Sequence, residues 1–171
     1  ALKTALVDQG LSFTSETDTE VAAHLVAAAY ERTRDLTTAM QETVAQLEGA
    51  FTLLAIHADQ PGVVVGARHN SPLVVGIGEG ANYLGSDVAA FIGHTREALE
   101  LGQDQIVTIT PSSVSVIGFD GAPAEGRRYH VDWDAAAAEK GGYPSFMEKE
   151  IQDQPHAVAD TLLGRTDEQG R

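Results

Sequence analysis

The chain has 171 residues, 43% of them hydrophobic, so it has the size of one domain and can bury a sizeable core. Its formal net charge of -14 repels phosphate groups and anionic lipid, which argues against nucleic-acid and membrane-surface partners. The absence of cysteine excludes disulfides and thiolate metal sites. No apolar run approaches the roughly 18 residues that span a bilayer, and a cytoplasmic location is expected.

The first part of the chain predicts two helices with a polar segment between them. Residues 3–9 have the apolar spacing of a helix that stops at Gly10, a residue type common just after helix ends. A short strand is predicted over residues 11–14. Residues 21–34 carry an apolar stripe at helical spacing and predict a long amphipathic helix.

Six polar residues, Ser15 to Glu20, stand immediately before that long helix. A hydroxyl or acid at a helix N-terminus satisfies backbone N–H groups and lies at the positive end of the helix dipole, so Asp18 fits a capping residue. One cap needs only one acceptor, however, and strand-to-helix junctions are where binding sites tend to be built. The sequence therefore leaves two interpretations of Asp18, a helix cap or a ligand contact.

After a second predicted helix over residues 37–47, the pattern becomes strand-like. Three hairpins are predicted, and they pair a buried strand 51–57 with 63–67, 73–77 with 82–84, and 105–110 with 113–119. Ser86 and Asp87 are predicted to cap a short helix, and Arg68 is expected to form an ion pair, with Asp87 as its nearest partner by motif. Helices followed by antiparallel hairpins predict an α+β fold.

The character of the chain changes again after residue 119. Residues 120–128 are predicted as a loop and 134–140 as a short helix, and the pair Gly141-Gly142 is a flexible break. We therefore predict a domain over 1–140 and, over 141–171, a linker followed by helices. Two helices are predicted there, at 145–152 and 155–163. The apolar stripe that this region carries is expected to pack against a neighbouring domain; it consists of Tyr143, Phe146, Met147 and Ile151.

Four segments together resemble the glutaminase domain of the glutamine–fructose-6-phosphate aminotransferase (glucosamine-6-phosphate synthase) family. They are residues 15–25 (SETDTEVAAHL), 67–78 (ARHNSPLVVGIG), 82–89 (NYLGSDVA) and 143–155 (YPSFMEKEIQDQP). The resemblance implies an N-terminal-nucleophile fold, a glutaminase type 2 αββα sandwich. It also implies that Asp18 binds the α-ammonium group of glutamine, with Thr17 beside it adding a hydroxyl or backbone contact.

One departure from the family pattern concerns the nucleophile. The family cleaves glutamine with the thiol of an N-terminal cysteine, whereas this sequence begins with Ala1 and contains no cysteine. The family's arginine clamp and Asn-Gly oxyanion hole have no counterpart before Leu11. We therefore expect an internal fragment whose sandwich lacks its N-terminal strands, which contains no catalytic residue, and which is inactive alone.

The expected partners follow from the same resemblance. They are glutamine at a partial site, the missing N-terminal glutaminase segment, the sugar-isomerase domain of the parent protein, and further copies in a homo-oligomer. The six histidines are scattered, with no pair three or four positions apart, so no metal site is predicted. No cofactor is predicted either.

Two alternatives stay open. The first is a non-catalytic binding or scaffold domain that kept the fold and lost the chemistry. The second is another type 2 glutamine amidotransferase, such as the phosphoribosylamine-forming or asparagine-forming enzymes. Residues 143–155 argue against the second alternative, because they resemble the entry to the sugar isomerase.

Overall fold

The computed structural model describes residues 2–132 and 143–162. The chain divides into two compact units, Ala1–Asp132 and Trp133–Arg171. The predicted helix over 134–140 and the predicted domain boundary after residue 140 lie outside the described residues. The boundary therefore stays a prediction.

Three helices open the first unit: α1 spans Leu2–Asp8, α2 spans Asp18–Thr33 and α3 spans Leu36–Val44. The two predicted helices that follow the polar segment are confirmed, although α2 begins three residues before the predicted start at 21. Arg34 ends α2 in the left-handed conformation, with φ of 53°. Leu25, Ala29 and Tyr30 of α2 are buried, and Ala29 and Tyr30 pack with the buried side of α3.

Eight strands follow within residues 2–132. They are β1 (Phe51–Ala55), β2 (Val64–His69), β3 (Val74–Ile77), β4 (Asn82–Gly85), β5 (Glu97–Glu100), β6 (Gln105–Ile109), β7 (Val114–Gly118) and β8 (Arg127–His130). Strands β1-β2-β6-β7 form one antiparallel sheet, and β4-β3-β5-β8 form a second. The three predicted hairpins and the α+β class are thus confirmed, while β5 and β8 were not predicted.

Two clusters of buried side chains lie in the described part of the core. In the first, Met40 of α3 and Tyr30 of α2 pack with Val65 and Ile106 from the first sheet. The second joins the two sheets and contains Leu73, Val75, Leu99, Leu101, Val107 and Ile109. Neighbouring residues Ile106 and Val107 of β6 belong to different clusters because successive side chains of a strand point to opposite faces. The first sheet is therefore covered on both faces.

A close contact joins the second sheet to the short 3₁₀ turn Val88–Ala90 that follows β4. Phe91, only 1% exposed, lies directly on Gly76 of β3. A Cβ atom at position 76 would lie 2.5 Å from Cδ2 of Phe91, which no side chain could tolerate without a shift of the ring. Glycine at this position is therefore what allows the aromatic ring to reach the sheet.

Three sequence predictions in this unit are wrong. Residues 11–14 form no strand, because the backbone N–H groups of Thr14 and Ser15 bond to a glutamate side chain instead of a neighbouring strand. The first strand is a sheet edge rather than a buried strand, and Leu54 is 52% exposed. Arg68 does not pair with Asp87: its guanidinium donates to the Leu101 carbonyl at 2.8 Å and to the Gln103 side chain at 2.6 Å.

The described part of the second unit contains one helix, α4, over Phe146–Leu162. The prediction of two helices at 145–152 and 155–163 is wrong, because Pro155 lies inside a continuous helix. Proline cannot donate a backbone hydrogen bond, yet the helix runs without a break from Phe146 to Leu162. Exposed apolar side chains line this helix, namely Phe146, Met147, Ile151 and Val158. No helix within the described residues is long and apolar enough to cross a membrane.

Candidate amino-acid-binding cleft at the start of helix α2

The start of α2 faces a cleft of about 700 Å³ in the first unit. Its walls come from α1, the first turn of α2, the segment after α3, and β1. The lining residues are Leu2, Lys3, Asp18, Thr19, Val21, Ala22, Gln46, Leu47, Glu48, Ala50, Phe51, Thr52 and Leu53. Most of this surface is apolar or neutral, and its charged side chains are Lys3, Asp18 and Glu48. Such a mixture suits a small polar molecule that carries charge.

Asp18 is the first residue of α2, and its side chain is exposed at the cleft. Within the described residues, no donor forms a hydrogen bond to its carboxylate. The residue before it, Thr17, is the N-cap, with extended backbone (φ −76°, ψ 145°) and no side-chain bond to the helix. Asp18 is therefore not the cap of this helix, and its carboxylate lies at the positive end of the helix dipole with no hydrogen-bond partner from the described part of the chain.

Glu20 stands in the same turn but is fully engaged. One carboxylate oxygen, Oε1, accepts from the backbone N–H of Thr14 at 2.8 Å and from the Thr14 hydroxyl at 3.1 Å. The other, Oε2, accepts from the backbone N–H of Ser15 at 2.7 Å and from the Ser15 hydroxyl at 2.5 Å. These bonds, led by that of the Ser15 hydroxyl, lower the pKa of Glu20 from its ordinary 4.5 to about 2. The carboxylate is therefore ionised at neutral pH.

The Ser15 hydroxyl connects Glu20 to the N-cap. Its oxygen lies 3.0 Å from the hydroxyl of Thr17 and accepts from the Thr17 backbone N–H at 3.4 Å. The Thr17 hydroxyl is therefore already occupied locally, and Thr17 is not among the lining residues of the cleft. Of the two predicted site residues, only Asp18 reaches the cleft with its side chain uncommitted.

The segment is also held from the side of α1. Lys3 Nζ donates to the Ser15 carbonyl at 3.0 Å and lies 4.8 Å from the centroid of the Phe13 ring. That ring makes an edge contact with His24 of α2, with centroids 4.6 Å apart. Residues 13–17 thus form a short strap between the two helices, fixed at both sides. We call residues 13–17 the entry strap.

Sequence reasoning missed Glu20. The available signal was the capping-box spacing of Thr17 and Glu20, a hydroxyl residue three positions before a glutamate at a helix start, although the Glu20 carboxylate bonds to Thr14 and Ser15 instead. Elsewhere, His69 Nδ1 lies 2.5 Å from Asp104 Oδ1, and His130 Nδ1 lies 2.5 Å from Glu97 Oε1. Neither pair gains a third ligand, since no group of three or more His, Asp or Glu side chains able to hold a metal occurs in the described ranges.

Comparison with known proteins gives a consistent set of relatives. The chain is 63% identical over 169 residues to the glutamine–fructose-6-phosphate aminotransferase (isomerizing) of Streptomyces coelicolor. This match covers 99% of this chain and 28% of that protein. It is 60% identical over 172 residues to the enzyme of the same name from Corynebacterium efficiens, with the same two coverages. For that of Leifsonia xyli the identity is 62% over 164 residues, covering 96% of this chain and 27% of the relative.

A solved structure also resembles this fold. It is the glutamine phosphoribosylpyrophosphate amidotransferase of B. subtilis in complex with ADP and GMP, with a TM-score of 0.57 and 25% sequence identity. The match covers 69% of this chain and 26% of that one. No family model matches the sequence. The resemblance to the glutamine–fructose-6-phosphate aminotransferase family is therefore confirmed. The chain spans 28% of the length of the first two of these relatives.

Proposed function

We propose that this chain is part of the glutaminase domain of a glutamine–fructose-6-phosphate aminotransferase and that Asp18 binds the α-ammonium group of glutamine in the cleft. In the parent protein, hydrolysis of glutamine supplies the ammonia used to make glucosamine 6-phosphate from fructose 6-phosphate. The main support for the site is that the Asp18 carboxylate at the cleft accepts no hydrogen bond from the described residues. The chain is also 63% identical to a protein of that name.

The chemistry of Asp18 supports this assignment. A carboxylate that accepts no hydrogen bond from the described residues keeps its full capacity for an ammonium donor. A charge-assisted hydrogen bond of this kind contributes about 1.5 to 3 kcal/mol. Most of the remaining cleft wall is apolar or neutral, which suits the aliphatic stem of glutamine. A contact from Thr17 to glutamine is not part of this proposal, because its hydroxyl and its backbone N–H are engaged by Ser15 and it does not line the cleft.

The nucleophile must come from elsewhere in the parent protein. Hydrolysis of an amide needs a nucleophile and donors for the developing oxyanion, and this chain contains no cysteine. In the proposal, an N-terminal segment of the parent supplies both, and the present chain supplies substrate recognition and most of the sheet core. No residue of this chain is assigned a catalytic role.

The outer edge of β1 is evidence that another segment of the parent protein covers it. No described strand pairs with that edge, and Leu54 and the neighbouring Ile56 are 52% and 76% exposed. Unpaired N–H and C=O groups on such an edge accept another strand. We assign this place to the N-terminal strands of an N-terminal-nucleophile αββα sandwich. The exposed apolar side of α4 is assigned to the sugar-isomerase domain, in a cytoplasmic homo-oligomer.

The first test is kinetic and uses the full-length gene product. Replacing Asp18 by Asn removes the negative charge and is expected to raise the KM for glutamine about 10- to 100-fold, the equivalent of the bond energy above. Asp35→Asn is the matched control, since Asp35 also stands at a helix start but lies outside the cleft, and its KM is expected to stay unchanged. An Asp18→Asn enzyme with an unaltered KM would refute the role of Asp18.

The second test uses the 171-residue chain alone. Loss of the nucleophile lowers the rate of a serine protease by about 10⁶-fold, so the chain is expected to release no glutamate from glutamine above the uncatalysed rate. The full-length product should release it. Glutamate formation by the purified chain would show that a nucleophile other than cysteine operates within it.

Two rival functions have specific support. The absence of cysteine favours a non-catalytic binding domain, and a gene that encodes no cysteine directly after its initiator methionine would favour that rival. The likeness to the B. subtilis amidotransferase favours a different acceptor for ammonia. Assays of the full-length product with fructose 6-phosphate and with phosphoribosylpyrophosphate separate the two acceptors. The 63% identity favours fructose 6-phosphate.

A further inference from the structure

We infer that Glu20 is a positioning residue that fixes the entry strap and thereby holds Asp18 at the cleft. The inference rests on the proposed function, because it takes Asp18 as the ammonium-binding group. Glu20 itself does not line the cleft. Its effect on the substrate would pass through the backbone between Thr14 and Asp18.

The contacts of Glu20 leave the strap little freedom. Both carboxylate oxygens are used, and each accepts from one backbone N–H and one hydroxyl of Thr14 or Ser15. The Glu20 side chain is only 18% exposed, so water competes poorly for these bonds. The strap forms no strand, so these bonds replace the ladder that would otherwise fix its path. Without Glu20, two backbone donors would lose their acceptors.

The constraint extends to the residue next to Asp18. The Ser15 hydroxyl that donates to Glu20 also accepts from the backbone N–H of Thr17 and contacts its hydroxyl. Thr17 has an extended backbone and no side-chain bond to the helix, so its own side chain does not fix where the chain enters α2. The series of hydrogen bonds from Glu20 through Ser15 to Thr17 therefore fixes the position of the backbone that carries the Asp18 carboxylate.

The side chain at position 20 must be a carboxylate of this length. Glutamine has one acceptor oxygen, and its NH₂ group would face a backbone N–H of Thr14 or Ser15, donor against donor. Aspartate is one methylene shorter and reaches neither N–H from the same backbone. Lys3 contacts the strap as a donor to the Ser15 carbonyl and as a cation over the Phe13 ring, so it cannot replace the acceptors that Glu20 supplies.

The experiment compares glutamine kinetics of full-length variants. Glu20→Gln is expected to raise the KM for glutamine about tenfold, the equivalent of one charge-assisted bond, with kcat within about twofold. Glu16→Gln is the matched control, because Glu16 is exposed in the same strap, makes no hydrogen bond to the described residues and lies outside the cleft. Its KM should equal that of the unmodified protein. A Glu20→Gln enzyme with unchanged KM would overturn the inference.

A double variant separates positioning from general destabilisation. If Glu20 acts through Asp18, then Asp18→Asn with Glu20→Gln should have the KM of Asp18→Asn alone, whereas independent effects would multiply. Multiplied effects would count against the inference. If Asp18→Asn alone leaves KM unchanged, the proposed function fails. If Asp18→Asn raises KM and Glu20→Gln does not, only the positioning role fails.

A milder variant covers the case in which Glu20→Gln does not fold. Ser15→Ala keeps both backbone bonds to Glu20 and removes only the hydroxyl that links it to Thr17. We expect a KM increase smaller than that of Asp18→Asn and faster hydrogen exchange at the Thr17 amide. Ser15→Ala with unchanged KM and unchanged exchange would contradict the inference.

Discussion

Helices α2 and α3 pack together, but their first residues are arranged in opposite ways. At the start of α3, Asp35 is the N-cap, and its Oδ1 accepts from the backbone N–H and the hydroxyl of Thr38, both at 2.7 Å. The first helical residue that follows, Leu36, is fully buried. At the start of α2 the cap, Thr17, makes no side-chain bond to the helix, and the first helical residue is the exposed Asp18.

The difference is one of position. An aspartate placed one residue before a helix meets the free N–H groups of the first turn, and Asp87 does the same before the 3₁₀ turn by accepting from the Ala89 N–H at 2.7 Å. Asp18, at the first helical position of α2, makes no such bond within the described residues and keeps its oxygens free. A helix start that forgoes its own cap in this way has an acidic group available for a ligand.

Among the changes that test this comparison, Leu36→Ala should lower the free energy of unfolding the most. Removing a fully buried leucine leaves a cavity and costs about 2 to 5 kcal/mol of unfolding free energy, measured by urea denaturation of the chain. The corresponding change at the first residue of α2 should cost far less. A loss at Leu36 below about 1 kcal/mol would mean that the start of α3 is not anchored in the core.

Asp35→Ala should come next. It removes the cap of α3 and is expected to lower the unfolding free energy by about 1 kcal/mol. Asp35→Asn keeps an acceptor oxygen at the same place and serves as the control, with a smaller loss. Equal losses in the two variants would show that charge, rather than the hydrogen bond to Thr38, is what stabilises this helix start.

The pH dependence of stability should reveal Glu20. Because folding lowers its pKa from 4.5 to about 2, Glu20 contributes stability above about pH 4.5, and the contribution is lost as the pH falls toward 2. His24 Nε2 is the nearest basic group, 4.0 Å from Glu20 Oε1. The stability difference between the unmodified chain and Glu20→Gln, followed by urea unfolding from pH 7 to pH 2, should shrink over that window. A constant difference would contradict the bonding described here.

Asp18→Ala should have the smallest effect on stability. Its carboxylate has no hydrogen-bond donor within the described residues, so only the interaction with the helix dipole is lost, and the change should stay within about 0.5 kcal/mol. Thermal unfolding beside Asp35→Ala provides the direct comparison. A loss as large as that of Asp35→Ala would indicate that Asp18 acts as a structural residue and would weaken its assignment to a ligand.

Local pattern was enough to predict the elements whose partners are near in sequence. Helices α2 and α3 and all three hairpins follow from apolar spacing and turn residues. Strand β5 was missed because its residues, Glu97 to Glu100, have helix-forming side chains, and its strand conformation comes from pairing with β3 and with β8 about 30 residues later. Long-range pairing of this kind leaves little trace in a single sequence.

The candidate site was predicted in part. Asp18 was found from its place in a polar run. Whether it caps the helix or contacts a ligand depends on the residue at which α2 begins, and a sequence pattern predicts that residue only to within a few positions. Glu20 was missed because its bonds run backward to Thr14 and Ser15, which lie outside the helix and follow no helical period. The unexpected exposure of Leu54 has a different origin, since it depends on which strand stands at the sheet edge.

The contact between Phe91 and Gly76 limits how this sequence can change. Even the smallest side chain at position 76 would place its Cβ 2.5 Å from the ring, and the ring has nowhere to move because it is 1% exposed. A saturation library at this position should therefore return only glycine among folded variants. Alanine would become acceptable only together with a smaller residue at 91, so the two positions are expected to vary jointly among distant homologues.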